Sequence, residues 1–122
     1  MEYLLGIDVG TTGVKSVLID KDGNLIATNT VEYPLITPKP GWAEQNPSDW
    51  WNATIKCIKT IFKKTDIKGK DIKGIGLTGQ MHGAVFLDKN YNVIHPAILW
   101  CDQRTVKECE EITEIVGKER IF

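Results

Sequence analysis

Residues 6–13 read GIDVGTTG, and their place in the chain decides the fold. They end an apolar run, YLLGIDV at residues 3–9, whose aliphatic content reads as a central strand interrupted by Asp8. The glycine- and threonine-rich turn is followed at residues 14–20 by VKSVLID, a second strand. KDGN at residues 21–24 holds an Asp-Gly pair, a strong hairpin signal, and LIATNTVEY at residues 25–33 returns as a third strand. The glycine turn therefore joins two strands of an antiparallel meander. Dinucleotide-binding and Walker loops open a helix instead, and no Gly-Lys-Ser/Thr follows here, so both are excluded.

Beyond the meander, PLITPKPGWAEQNPSDWW at residues 34–51 is a proline-rich connection that ends at a helix start. Asn46 suits the cap, Pro47 the first helical position, and Asp49 the positive end of the helix dipole. Trp50, Trp51, Thr54, Ile55, Ile58, Ile61 and Phe62 recur at helical spacing, which predicts a helix ending near Thr65. IKGIGLTG at residues 72–79 is the next strand, with Ile75 and Leu77 on one face. GAVFLD, the turn KNYN and VIHPAILW are further extended segments. A second helix is expected after Asp102, with Val106, Cys109, Ile112 and Val116 as its apolar stripe and Gly117 as its stop. No internal repeat or low-complexity tract stands out. The order β-β-β-α-β-β-(β)-α is α/β, in α+β order: three antiparallel strands, then a helix and further strands. It is the opening of the ribonuclease-H-like, actin-like ATPase core, although other α+β folds share it.

Bulk properties narrow the function classes. The 122 residues amount to one ordinary domain or part of a larger one. With 42% hydrophobic and 25% charged residues the chain has a globular composition, and its net charge of -1 gives no reason to expect nucleic acid or an anionic membrane as partner. No apolar run reaches the roughly 20 residues of a membrane helix, and no signal-peptide pattern opens the chain, so a cytoplasmic location is expected. Cys57, Cys101 and Cys109 match no zinc spacing, with His82 and His95 far apart; reduced, partly buried thiols are expected.

Asp8 needs an occupation in so apolar a strand. Beside a turn whose Gly10 and Gly13 open unusual backbone conformations, amide N–H groups can face an anion, Thr11 and Thr12 add hydroxyls, and Lys15 adds positive charge. Asp8 could then hold a magnesium-bound water or orient a transferring phosphoryl group.

GIDVGTTGVK resembles the first phosphate loop of the superfamily that joins sugar kinases, heat-shock chaperones and actin. PGWAEQNPSDWW, GLTGQMHGAVFLD and PAILWCDQRT resemble the sugar-binding segments of the FGGY carbohydrate kinase family, most closely its pentulose-phosphorylating members. The resemblance runs from about Leu4 to at least Arg104; Thr78 stands where serine is commoner, and Cys101 where asparagine is. It implies an ATP-dependent kinase using Mg2+, with D-xylulose as the first candidate acceptor. Asp8 is implied as the catalytic residue and the holder of Mg2+ through water. Gly10, Thr11, Thr12, Gly13 and Lys15 are implied at the ATP phosphates. Met81, His82, Trp100, Asp102 and Gln103 are implied at the sugar, with Met81-His82 standing where glycerol kinases carry Arg-Glu. The family's proton-accepting aspartate lies far downstream. Residues 1–122 are accordingly expected to be the N-terminal part of the first actin-like domain, inactive alone and prone to self-association through surface that the rest of the enzyme covers. The alternative readings are a family kinase for another ketose, polyol or sugar acid, and a non-catalytic module that binds sugar or nucleotide.

Overall fold

The computed structural model describes residues Met1–Phe122. Strands β1 (Tyr3–Val9), β2 (Gly13–Asp20) and β3 (Leu25–Glu32) form the expected antiparallel meander. Helix α1 (Pro47–Thr65) follows, and β5 (Ile72–Gly79) then pairs with β1 in parallel. A two-residue strand, β4 (Glu44–Gln45), precedes α1. The sheet order β3-β2-β1-β5 places β1 at its centre, as the ribonuclease-H-like reading requires. A second sheet of order β4-β7-β6 contains β6 (Ala84–Leu87) and β7 (Val93–Ile98). Helices α2 (Val106–Val116) and α3 (Lys118–Ile121) end the chain.

Alternation on β1 and β2 builds the core. Tyr3, Leu5 and Ile7 point to one face with Val14 and Leu18, and α1 covers that face with Ala53, Cys57 and Ile61. These helix positions are four apart, so they stack along one line. Of the expected stripe, Ile61 is buried and Ile58 packs against the core, but Trp51 is 68% exposed, and Ala53 and Cys57, outside that stripe, are buried. Small side chains at 53 and 57 let the helix lie close to the sheet, which bulky indoles would prevent. Of the three thiols, Cys57 is buried, Cys101 half-buried and Cys109 exposed.

Helix α1 spans β1 to β3; on β5 only Ile72 packs against this core, and the strand beyond it is largely exposed. Ile75 and Leu77 share one face as expected, being register partners of Leu5 and Ile7, but they are 65% and 74% exposed. The α2 stripe is equally uncovered, with Val106, Ile112 and Val116 all exposed. No helix is long and apolar enough to cross a membrane.

Two turns use the same chemistry. The Asp20 carboxylate accepts hydrogen bonds from the Asp22 and Asn24 amides and from Asn24 Nδ2, and Asp88 does the same with Asn90 and Asn92. These bonds, led by the asparagine side chain in each turn, pull both carboxyl groups below their ordinary value. The shared pattern D-K-x-x-N at residues 20–24 and 88–92 is a turn signature too short to count as an internal repeat.

The connection to α1 is pinned at Gly41. Its φ of 78° and the Trp42 N–H to Lys39 carbonyl bond of 3.0 Å make residues 39–42 a tight turn with Pro40 leading, a conformation that needs glycine at position 41. At the start of α1, Asn46 occupies the cap position without a side-chain bond, and the Asp49 amide bonds its backbone carbonyl instead.

Candidate functional site

The β1–β2 turn is a two-residue hairpin, Thr11-Thr12, closed by the Gly10 N–H to Gly13 carbonyl bond of 3.0 Å. Neither Gly10 nor Gly13 has a positive φ, so the expectation that both supply unusual conformations is not met. Gly13 is required for space instead. A Cβ there would lie 2.5 Å from the Val31 carbonyl oxygen and 2.8 Å from the Glu32 Cα, whereas one at Gly10 would make only ordinary contacts, at 3.4 Å and beyond.

The reciprocal bond, Gly13 N–H to the Gly10 carbonyl, is not made; that carbonyl accepts from the Tyr33 hydroxyl and, at 3.5 Å, from Gln80 Nε2. Burial and the nearby Asp8 carboxylate push the Tyr33 phenol up from 10.0 to about 12. The amide N–H groups of Thr11 and Thr12 donate to no group of the chain. Two free amides on a turn beside an exposed carboxylate suit an anion that arrives with a cation.

Asp8, Gly10, Thr11, Gly79, Gln80, Met81, His82 and Trp100 line one open cavity of about 390 Å3. Strand pairing builds it: β1 and β5 run parallel, so the turns at their C-terminal ends, 10–12 and 80–82, emerge side by side. The Gln80 amide bonds the Val9 carbonyl at 3.0 Å and fastens the second turn to the first strand. His82 has a φ of 63°, a left-handed conformation uncommon outside glycine and concentrated at functional turns. Trp100 reaches the cavity from the end of the second sheet, where buried Leu99 is anchored by its N–H to the Ala43 carbonyl at 3.0 Å. The indole is 58% exposed, and its Nε1 donates to Thr11 Oγ1 at 3.0 Å.

Thus Asp8, Gly10, Thr11, Met81, His82 and Trp100 come together as the motifs suggest. Five other expected residues lie elsewhere. Thr12 and Gly13 belong to the turn without lining this cavity. Lys15 is the register partner of Asp8 on β2, yet the two form no ion pair. Asp102 is otherwise engaged. Its carboxylate accepts from the Ala43 amide at 2.7 Å, the Arg104 amide at 2.9 Å, and Arg104 Nε and Nη2 at 2.9 and 2.7 Å. The Arg104 side chain, with these amides, holds the Asp102 carboxyl far below the usual carboxylate range. Arg104 also pairs with buried Glu44 at 2.7 Å and stacks 3.8 Å above the Trp42 ring. Gln103 bonds Gly41 through its amide and lines a separate groove along α2.

Gln80 braces the turn, a role the sequence allows beside that of a polar contact, whereas nothing in the sequence reading assigns a part to Gln45. Gln45 is fully buried; its Nε2 donates to the Thr11 carbonyl at 2.6 Å, and its Oε1 accepts from Trp50 Nε1 at 2.9 Å and Gln80 Nε2 at 3.0 Å. Thr11 Oγ1 donates to Gln80 Oε1 at 3.3 Å, so its hydroxyl braces the turn and is not free for an anion. A clue was present in Gln45 itself, an amide placed directly before the helix cap and indole of α1.

No group of three or more His, Cys, Asp or Glu side chains gathers to bind a metal. Mg2+ at this site would rest on Asp8, water and the phosphates it accompanies, a donor set that suits this ion.

Comparison with known proteins fits this geometry. The model of the FGGY family of carbohydrate kinases, N-terminal domain, matches residues 3–122. The xylulose kinase of Bacillus subtilis (strain 168) is 44% identical over 117 residues, which cover 96% of this chain and 23% of that protein. A ligand-bound xylulose kinase structure from Lactobacillus acidophilus superposes with a TM-score of 0.90 at 31% identity, covering 99% of this chain and 24% of that one. A gluconate kinase structure from the same organism gives 0.89 at 32%, covering 98% and 24%. The chain spans about a quarter of the length of such relatives, and it belongs to the FGGY family of carbohydrate kinases.

Proposed function

We propose that the whole protein carrying this domain is an ATP-dependent pentulose kinase that converts D-xylulose to D-xylulose 5-phosphate. One observation supports the reading above all: the turn with two unpaired amides and Asp8 opens on the same cavity as Met81, His82 and Trp100. The amides of Thr11 and Thr12, with the Thr12 hydroxyl, would receive phosphate oxygens. Gly13 gives β3 the room to approach the turn, Gly10 lines the cavity beside Thr11, and Lys15, next to Asp8 across the ladder, contributes charge. Asp8 would hold Mg2+ through water, where the ion supplies charge neutralisation for the phosphates. The His82 imidazole can bond a sugar hydroxyl, while the Trp100 indole and Met81 cover C–H surface. Asp102 and Gln103 enter as supports of Trp100 rather than as sugar contacts, given the bonds of Asp102 to Arg104 and Ala43.

Asp8 is the only carboxylate lining the cavity. A proton acceptor for the sugar hydroxyl would have to come from the remainder of the protein, so residues 1–122 alone should show negligible turnover. Bare Ile75 and Leu77 beside the open edge of β5 favour self-association of this isolated chain. Sedimentation at micromolar concentration should show dimers or larger species, and a monomer there would count against it.

A second reading, a family kinase for another acceptor such as a sugar acid, is favoured by the near-equal structural likeness to the gluconate kinase. Assay of the whole protein with ATP, Mg2+ and a panel of ketoses, polyols and sugar acids separates the two. D-xylulose should give the highest kcat/KM. Asp8→Asn should abolish turnover, and His82→Ala should raise the KM for the sugar more than that for ATP. Preference for a non-pentulose acceptor would overturn the first reading.

A further inference from the structure

Gln45 does not line the cavity, yet the hydrogen bonds behind it converge there. Its partners fix its orientation. The Trp50 indole N–H can only donate, and the Thr11 carbonyl can only accept. Gln45 must therefore turn Oε1 to Trp50 and Nε2 to Thr11; a flipped amide would set donor on donor and acceptor on acceptor. The choice propagates. Gln80 must present Nε2 to Gln45 Oε1, which leaves its Oε1 to accept the Thr11 hydroxyl proton. Thr11 Oγ1 then accepts from Trp100 Nε1. From Trp100 to Gln45 every bond points the same way, and Gln45 Oε1, which receives the last of them, also accepts from the Trp50 indole on its other side.

We propose that Gln45 is a positioning residue that, through this one-directional chain, holds the anion turn and the Trp100 wall as a single unit. A ligand seated against Trp100 is then felt at the Thr11 amide, and the reverse. Bonds in such a chain polarise one another, and a break strands a donor or acceptor next to a fully buried amide. The ligand-coupling half of the proposal rests on the reading of the cavity as a joint sugar and phosphate site; the chain itself does not.

Gln45→Glu tests it. An ionised carboxylate still accepts from Trp50 and Gln80, but it faces the Thr11 carbonyl without a proton and repels it, which pushes away the turn that carries Thr11 Oγ1, the acceptor of the Trp100 indole. The neutral acid restores that proton in the same shape. In the 15N-labelled 122-residue chain, the Trp100 indole N–H should exchange with solvent about fivefold faster than wild type at alkaline pH, the size expected for loss of one ordinary hydrogen bond. The difference should close as the pH is lowered, wild type being measured at each pH. Gln45→Leu should show the fast exchange at every pH. Should that variant fail to fold, Thr11→Val cuts the same chain at the surface and sets the upper limit of the effect. A Trp50 signal that responds to Gln45→Glu while Trp100 stays unchanged at all pH would overturn the proposal.

In the whole protein, ATP and D-xylulose should tighten each other's binding. That mutual effect should be lost in Gln45→Glu at alkaline pH and regained at lower pH. If the indole results hold but the wild type phosphorylates no pentulose, the functional reading falls and the positioning role stands. If the wild type is active and Gln45→Glu leaves both Trp100 and the mutual tightening intact, the positioning role falls alone.

Discussion

Gly13→Ala and Gly10→Ala should act on stability in opposite directions, although the motif presents the two glycines alike. At Gly13 the new Cβ would stand 2.5 Å from the Val31 oxygen and 2.8 Å from the Glu32 Cα. Both obstacles are backbone, so no side-chain rotation relieves them. To bring the first approach to 3.0 Å, β3 must withdraw by about half an ångström, which strains the β2–β3 ladder at Gly13↔Glu32 and moves Tyr33, whose hydroxyl and amide hold the turn. Overpacking of this kind costs about 1–3 kcal/mol, against which the stiffer unfolded chain returns about 0.4–1 kcal/mol. The net loss should be about 1–2 kcal/mol. At Gly10 the contacts are ordinary and φ is not positive, so only the unfolded-state term remains and the variant should gain about 0.5 kcal/mol. Urea unfolding followed by tryptophan fluorescence reads both. With m near 2 kcal/mol/M, the Gly13→Ala midpoint should fall by roughly 0.5–1 M and that of Gly10→Ala should rise slightly. Equal losses in the two variants would show that unusual conformations, and not the approach of β3, are what the glycines provide.

Other outcomes follow from single groups. Ser16 Oγ is fully buried without a partner, so Ser16→Ala should stabilise by about 1 kcal/mol and raise Tm by about 4 °C, read by calorimetry. The Tyr33 phenol is raised when folded, so its contribution is whole below pH 10 and is lost as pH climbs towards about 12; Tyr33→Phe should flatten that part of the alkaline stability profile. Asp102 is depressed when folded, so its contribution is present above the ordinary carboxyl value of 3.8 and lost as pH falls below it; Asp102→Asn should flatten the acid limb measured by urea unfolding. Ile61→Ala, at the largest fully buried side chain of α1, should cost about 3 kcal/mol in the same assay with an unchanged m-value.

Much of the fold was legible because its signals are local. The meander strands, the Pro47 start and Thr65 end of α1, and the Gly117 stop of α2 each follow from periodicity, turn residues or caps within a few positions. What escaped is non-local. Strand β4 has two residues and exists because Glu44 and Gln45 pair with Ile98 and Ala97 on β7, more than fifty positions later. The same pairing splits the extended segments into two sheets, which no alternation of side chains announces. The buried line of α1 is legible only at Ile61, because Trp50 and Trp51 dominate any hydrophobic count, while the helix also packs through Ala53 and Cys57, whose merit is their small size.

The candidate site divides along the same line. A motif reports which residues converge, and the convergence of turns 10–12 and 80–82 follows once β1 and β5 are parallel neighbours. It does not report what each polar atom is bonded to when it arrives. Thr11, Gln80 and Asp102 all carry groups suited to a ligand, but other partners have claimed them: distant Trp100 and Gln80 for the Thr11 hydroxyl, distant Gln45 for the Gln80 amide, and neighbouring Arg104 with distant Ala43 for the Asp102 carboxylate. Thr12 lies one residue from Thr11 in the same turn, yet its hydroxyl and amide stay free, only its carbonyl being bonded, by the Tyr33 N–H. The groups that can meet a ligand are those the fold leaves unpaired, so the chemistry of this cleft is set by subtraction: by what Gln45, Gln80 and Arg104 hold in place, as much as by what Asp8 and His82 present.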